Sequence, residues 1–530
     1  MMVVLRHAGD LSGIDERIHW LAITGTVTTL DKARQLPRLG ERLETAFDGI
    51  REDWWALGHK LGQTPSGRLA HAPTAAAYNC DLGLMMAWTR LVENIAAGPD
   101  TCLVVCDDPW VFRQLSNIDG VTAGSSPGLF AASLKWMLRG FLARTRFAVR
   151  AALASLMLRS TRKNIGNGDA SIIVYGHPDS NTDGHDSYFG PLMKEIPDLK
   201  RLMHTDADVG FTQCLAADGR TAGLHGWGSP LFALGYIFQR WKPVAEDFAG
   251  VFSWLVRRAV AKENATAAIA SNSWQIHCQD RWLNKQCPAI VVWPWENHPW
   301  ERALCRTARQ LAITAKGYQH AVVGPHQFNA SPATNPDGLE SVPDKVICSG
   351  PAYHHQLIDW GVPVERMCIG GAFRIARFDG EYYDANGPVF VATSSIDEIT
   401  NEMMRAVENA RQPGRTFVVK THPLYPQEIT ESKDVQRTPH TIPESLGISA
   451  VFYGTGTSGL EGLLAGVPTF RIRPDDRVAL DVLPDCASSI AVTVDSLNEA
   501  LNNAVPPPYL DWNAVYAPVD MDVWKKELSI

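Results

Sequence analysis

The chain has 530 residues, 45% of them hydrophobic and 20% charged, which is enough for two or three domains with complete cores. Its net charge of -8 excludes a general affinity for nucleic acid, because a protein that lives on phosphate backbones carries a basic face to displace counterions. The ten cysteines are scattered, with no CxxC pair, and read as buried thiols of a reducing compartment.

The first residues, MMVVLRHAGD, offer four consecutive apolar positions before Arg6 and do not form a leader core. No stretch reaches the 18 or so apolar residues of a membrane span. The expected compartment is the cytoplasm, with room for a peripheral site on the inner face of a membrane.

Short apolar, β-rich runs then alternate with helical stretches: Trp20 to Val27, Thr101 to Cys106, Ser171 to Tyr175, Ala289 to Trp293, Ala312 to Gly317, Lys345 to Cys348, Val389 to Thr393, Thr416 to Lys420, Ala450 to Tyr453 and Thr469 to Ile472. This rhythm predicts an α/β protein with parallel sheets. Such sheets bind ligands at the carboxyl ends of their strands, so the residues after each run are the candidates for function.

One segment breaks the rhythm. From Val121 to Gly168 there is no acidic residue but there are eight Lys or Arg. Lys135, Arg139, Arg146 and Arg150 share one helical stripe, and Trp136, Met137, Leu138, Phe141, Leu142, Phe147 and Leu153 add apolar area elsewhere, the pattern of an interfacial helix on an anionic membrane surface. A plain helix with a solvated basic face has the same pattern, and Arg144 lies opposite the stripe.

Five loops carry chemistry. GHPDSNTDGHDSYFG, after SIIVY, supplies Asp183 as a candidate base and His185 as a candidate sugar contact; an Asp- and Asn-capped turn is the alternative. AIVVWPWENHPWERAL ends a strand in Glu296 and His298, with Glu301 read as a helix-start charge. AITAKGYQH ends in Gln319 and His320, both able to bond a hydroxyl or a phosphate. TFVVK runs into Thr421-His422-Pro423-Leu424, which places an imidazole at a strand end. AVFY leads into Gly454, Thr455, Gly456, Thr457, Ser458 and Glu461, a hydroxyl-rich turn before a helix, suited to a phosphate clamp or, more simply, to a helix cap.

His422-Pro423 with the Thr457-Ser458 pair resembles the GT-B glycosyltransferases of bacterial surface polysaccharides, especially those using CMP-activated acidic sugars such as sialic acid or Kdo. Thr457 stands where a serine pair is often seen. The WENHPWE and GYQH segments resemble uncharacterised surface carbohydrate biosynthesis proteins, and Asp183-Gly184 partly resembles the base motif of bacterial sialyltransferases, with Thr182 in place of the first acid.

The resemblance implies two Rossmann-like domains facing a central cleft, with residues 1–375 binding the acceptor and including a basic helical insertion at about 121–168. Residues 376–507 would bind the nucleotide sugar, and 508–530 would form a tail helix packing back on the first domain. It implies transfer of a sugar from a CMP donor to a surface glycan or lipid-linked acceptor, without cofactor or metal. His422, Pro423, Gly454 to Ser458 and Glu461 would hold the donor, while Asp183 or Glu296 would act on the acceptor. The alternatives are a UDP- or GDP-sugar donor, a polyol-phosphate transferase, and a non-catalytic nucleotide- or sugar-binding scaffold.

Overall fold

A computed structural model describes residues 3–15, 17–23, 27, 29–75, 80–99, 101–375, 377–423 and 425–529. Positions 24–26 of the run expected from Trp20 to Val27, Leu424 and Ile530 lie outside the described residues.

Seventeen described strands form three sheets, and every ladder is parallel. The first holds β1 (Val3–Arg6), β2 (His19–Ile23), β3 (Cys102–Cys106) and β4 (Val121–Ala123) in the order β2-β3-β1-β4. The second holds β5 (Ser171–Val174), β6 (Lys200–Met203), β7 (Thr221–Gly223), β8 (Ile290–Pro294), β9 (Thr314–Gln319), β10 (Lys345–Cys348) and β11 (Met367–Ile369). The third holds β12 (Val389–Ala392), β13 (Phe417–Lys420), β14 (Val435–Arg437), β15 (Ala450–Tyr453), β16 (Thr469–Ile472) and β17 (Ile490–Val492).

The order in the third sheet, β14-β13-β12-β15-β16-β17, is the doubly wound Rossmann order, and the second sheet repeats it as β7-β6-β5-β8-β9-β10-β11 with one strand more. The fold is therefore α/β, with two Rossmann-like sheets. In each the winding reverses once, between β5 and β8 and between β12 and β15. A crevice opens at such a reversal, because the following helices leave to opposite faces of the sheet.

Central strands such as IVVWP (β8) and AVFY (β15) are buried throughout, as a sheet covered on both faces requires. The apolar rhythm of the sequence marks these strands to within a residue or two. It passes over β1, β4, β6, β7, β11, β14 and β17, which have three or four residues each. Most of these lie at or next to a sheet edge, where a strand tolerates polar residues, as in KRLM (β6) and VQR (β14).

Residues 1–375, read from the sequence as one unit, thus hold two sheets. The two share one hydrophobic core that runs from Val3, Leu5 and Val104 to Val291, Trp293 and Val346. The last helix, Met521–Leu528, seats Trp524 against Phe189, Tyr318 and Phe373 of the second sheet's layer, and the Trp524 indole N–H donates to the Gly370 carbonyl at 2.9 Å. No helix among the described residues is long and apolar enough to cross a membrane.

The third sheet is fixed to the N-terminal layer by a buried ion pair. Glu44, on helix Leu39–Asp48, accepts from Arg471 of β16 and, at 2.6 Å, from Arg473. Gly40 on the same helix lets the chain at Pro474 approach so closely that a Cβ would lie 2.5 Å from its carbonyl oxygen. Removing one partner of a buried pair strands the other charge, at a cost on the order of 3–5 kcal/mol. Glu44→Ala is expected to lower the melting temperature and to enlarge the radius of gyration in small-angle scattering; an unchanged value of both would show that this pair does not hold the sheets together.

Candidate functional site

The strand ends that meet at the two reversals face each other. Tyr175 and His177 follow β5, and Trp295 to His298 follow β8. Across the gap, Thr393, Ser394 and Ser395 follow β12, and Gly454 and Thr455 follow β15. A cavity of about 350 Å³ is lined from one side by Trp295, Glu296, His298 and Gln319, and from the other by Ser395 and Tyr425.

The turn after β8 is built around a buried carboxylate. Glu301 accepts from the Trp293 indole at 3.1 Å and from the backbone N–H groups of Glu296 and Asn297 at 2.9 Å each. Asn297 takes the left-handed φ of 61° and donates its side-chain amide to Asn329, Ser331 and Asn335, while buried Arg302 donates to its carbonyl. Pro299 then starts helix Pro299–Gln310. Glu301, read from the sequence as a helix-start charge, is in fact fully buried and sets the turn that presents Glu296 and His298.

His298 Nε2 lies 2.8 Å from Glu296 Oε2, and His320 Nε2 lies 3.7 Å from Glu296 Oε1. Burial opposes the charge on Glu296, but the His298 hydrogen bond and the charges of His298, His320 and Arg374 outweigh it and hold its pKa at about 2. Burial also disfavours a charged His298, and the bond to Glu296 overcomes this and raises its pKa. His320, held edge-on to the Tyr188 ring, is pushed down to about 4, chiefly by burial. Because Nε2 of His298 is engaged with Glu296, its other ring nitrogen, Nδ1, is the one left without a hydrogen-bond partner.

Two groups that the sequence reading missed complete this wall. Arg374, in the linker between the sheets, lies over the Tyr188 ring at 5.3 Å, and no described carboxylate is within ion-pair distance of it. Its charge nevertheless acts on His177, Glu296, His320, His422 and Glu461. His177 is buried, with Asp179 3.5 Å from its Nδ1. It was legible in principle, since His177-Pro178 after β5 repeats the strand-His-Pro pattern of His422-Pro423. Arg374 follows no apolar run, and nothing local marks it.

On the opposite wall, the His422 backbone N–H donates to Thr393 Oγ1 at 3.1 Å, its ring stands 5.4 Å from Tyr425, and Pro423 is exposed. Its pKa is lowered by burial first and then by His177 and Arg374, so at neutral pH it is a neutral N–H donor. Ser394 Oγ and Thr455 Oγ1 are 3.2 Å apart. Helix Ser458–Leu464 begins without any side-chain cap from Thr457, so the hydroxyls of Thr457 and Ser458 are not used as the helix-cap alternative requires. The glycines divide: Gly456, at φ 128° with open space around it, serves the turn, whereas Gly454 packs against Ser394 and Met403 and Gly459 against the Tyr453 ring.

Other candidates lie apart. Asp183 is exposed on a turn whose backbone N–H groups at Asp183 and His185 donate to Asn181 Oδ1. That turn hangs from buried Arg201, which donates to the carbonyls of Asn181 and His185 and pairs with Asp186 and Asp218. Asp183-Gly184 packs beside Lys194 and Arg220, and no bond links Asp183 or His185 to the Glu296 group. Gln319 lines the cavity, but its amide is engaged with Ser349 and Ala321. Among the described residues no group of three or more His, Cys, Asp or Glu side chains is arranged as a metal site.

No protein-family model and no curated protein matches the sequence. Among solved structures the chain is similar to the UDP-GlcNAc 2-epimerase of Methanocaldococcus jannaschii, with 11% identity, 68% of this chain and 99% of that one covered, and a TM-score of 0.39. It is also similar to the UDP-N-acetylglucosamine 2-epimerase of Rickettsia bellii, with 10% identity, 68% and 94% coverage and a TM-score of 0.36. For Acinetobacter baumannii MurG the values are 12%, 63%, 90% and 0.33. The resemblance is loose, and the fold is defined by the strand order and pairing above.

Burial lifts the Glu461 carboxyl to about 7, with Arg374 pulling the other way. The native state then holds this proton more tightly than the unfolded chain. The associated stability is present below the ordinary value of 4.5 and is lost as pH rises through 7. Glu461→Gln cannot ionise, so between pH 4.5 and 8 it is expected to gain on the order of 1–3 kcal/mol relative to the natural chain. Parallel pH dependences in thermal melts of the two proteins would show that Glu461 titrates normally.

Proposed function

We propose that the chain is an enzyme acting on a nucleotide-activated sugar, most simply a glycosyltransferase working between the two Rossmann-like sheets. The observation that carries this reading is the convergence of Arg374 and His177, on the wall of the Glu296–His298 pair, with His422 on the opposite wall, in one cleft between the carboxyl edges of both sheets. A fixed guanidinium without a carboxylate partner, a neutral imidazole and free hydroxyls suit phosphate oxygens. The carboxylate–imidazole pair suits proton transfer at the sugar.

In this reading the donor's phosphates lie against Arg374, His422 and the Thr455 to Ser458 turn. Glu296, the more exposed member of the pair, takes the proton from the acceptor hydroxyl as that oxygen attacks the anomeric carbon, and His298 Nε2 holds its carboxylate in place. The bond from that carbon to the leaving phosphate oxygen breaks with its electron pair. The charge that develops is met by the Arg374 guanidinium and the His422 N–H.

None of these contacts selects the base of the nucleotide, so the CMP-linked acidic sugar of the sequence resemblance is one donor among several, beside UDP- and GDP-sugars. The acceptor class remains a surface glycan or a lipid-linked glycan. The Glu296–His298 pair also favours a second reading, isomerisation at a carbon of the bound sugar, which needs no acceptor. Solvent deuterium incorporated into the nucleotide sugar without acceptor would identify it, whereas transfer leaves the recovered donor unlabelled.

The test is a panel of CMP-, UDP- and GDP-sugars read by thermal shift and by product formation. Arg374→Ala and His422→Ala are each expected to weaken binding of the active donor about 10-fold. Glu296→Gln should cut turnover at least about 100-fold while leaving donor binding within a few-fold. Full turnover in Glu296→Gln would remove the pair from the chemistry. Binding without turnover by any donor would point to a nucleotide-sugar-binding scaffold.

A further inference from the structure

The basic segment offers a surface that the cleft does not use. Helix Leu129–Met157 is fixed to the body along one face only. Gly140 lies so close to the end of helix Ser253–Asn264 that a Cβ would collide with the Asn264 carbonyl, and buried Arg144 donates to the carbonyls of Asn264 and Ile237. Trp136 stacks on Trp110 at 4.6 Å. Arg144, the residue off the basic stripe, is thus the anchor that fixes which face turns outward.

The outward face is apolar. Leu138, Leu142, Val149, Leu153 and Leu156 fall on one stripe of the helix and are exposed, Leu142 to 68%. The adjoining stripe carries Lys135, Arg139, Arg146 and Arg150, all exposed and without an ion-pair partner among the described residues. A second short helix, Pro230–Gly235, packs against the first through buried Ala233 and presents Leu231 at 81% and Phe232 at 61%, with Phe238 exposed just beyond. The sequence pattern gave no sign of this second element. Folded monomers rarely leave so many large apolar side chains exposed side by side.

We propose that these two helices form a docking surface for an anionic lipid bilayer. Leucine and phenylalanine side chains would enter the acyl boundary, while the basic stripe lies at the level of the headgroups. Charge complementarity selects this occupant: over residues 121–168 there are eight Lys or Arg and no Asp or Glu, in a chain of net charge -8. A protein partner on an apolar strip would not require an uninterrupted basic margin along its length, whereas long basic side chains beside an apolar face reach up to lipid headgroups. The surface stands apart from the cleft, and the proposal holds or fails whatever the cleft turns over.

Co-sedimentation of the full chain with vesicles tests it, comparing phosphatidylcholine alone with phosphatidylcholine plus phosphatidylglycerol. Binding is expected to the mixed vesicles, to fall with added salt, and to be weak on phosphatidylcholine alone. The combined change Lys135→Glu, Arg139→Glu, Arg146→Glu and Arg150→Glu should lower partitioning at least about 10-fold. A second variant with Leu138→Ser, Leu142→Ser and Leu153→Ser should lose binding while keeping its circular-dichroism melt. A natural chain that stays in the supernatant, or a charge-reversed variant that binds like it, would overturn the proposal. So would sedimentation velocity in which the natural chain is a dimer and the serine variant a monomer, since a second copy would then cover the face.

Discussion

The cleft exists because the third sheet is clamped to the N-terminal layer, and the clamp is a carboxylate shared by two guanidiniums. Glu44 reaches Arg471 and Arg473 from a helix more than 400 residues earlier in the chain. Beside it, His326 Nε2 lies 2.8 Å from Asp48, and its Nδ1 accepts from the Asp481 backbone N–H at 2.8 Å. These bonds lie between the sheets, so they fix the distance across which the β5–β8 and β12–β15 reversals face each other. Without them each crevice would be half a site.

Within that frame, polar groups do the fine positioning. A parallel strand end leaves several backbone N–H groups unpaired, and after β8 these are gathered by Glu301 rather than by water. The same carboxylate, with Asn297 and Arg302, makes the WENHP turn rigid. The Glu296–His298 pair therefore sits at a defined place in the cleft, and a mobile loop would blur its contact. On the far wall the constraint is looser: Thr455, Thr457 and Ser458 keep hydroxyls that the helix start does not use.

Much of this was legible in the residues. A strand in a sheet covered on both faces is mostly apolar, so β3, β5, β8, β12, β13, β15 and β16 announce themselves even where one carries a charge, as β16 carries Arg471, and with them the loops at their carboxyl ends. His422, Glu296, His298 and His320 stand directly after such runs, where the position alone marks them as ligand-facing. The short strands β6, β7, β11, β14 and β17 were not legible, because at or near an edge the burial that forces an apolar run is relaxed. Asp183 is less easily read, because Asp and Asn cap turns as readily as they act on substrates, and Asn181 and Asp186 here serve the turn.

The sequence by itself determined the alternation of strand and helix, the parallel sheets, the strand-end histidines and glutamate, and the basic stripe. Each depends on a local rule, the periodicity of burial or the restricted backbone before proline. Only the tertiary structure decided the rest. It brought Arg374 from a linker onto the Tyr188 ring, where its charge reaches Glu296 and His422, left Asp183 on an exposed turn, made Gly454 and Gly459 packing residues, and placed Leu231 and Phe232 beside the basic helix. Those outcomes depend on which distant segments meet, and a contact between residues a hundred positions apart leaves no mark on the pattern of either segment alone.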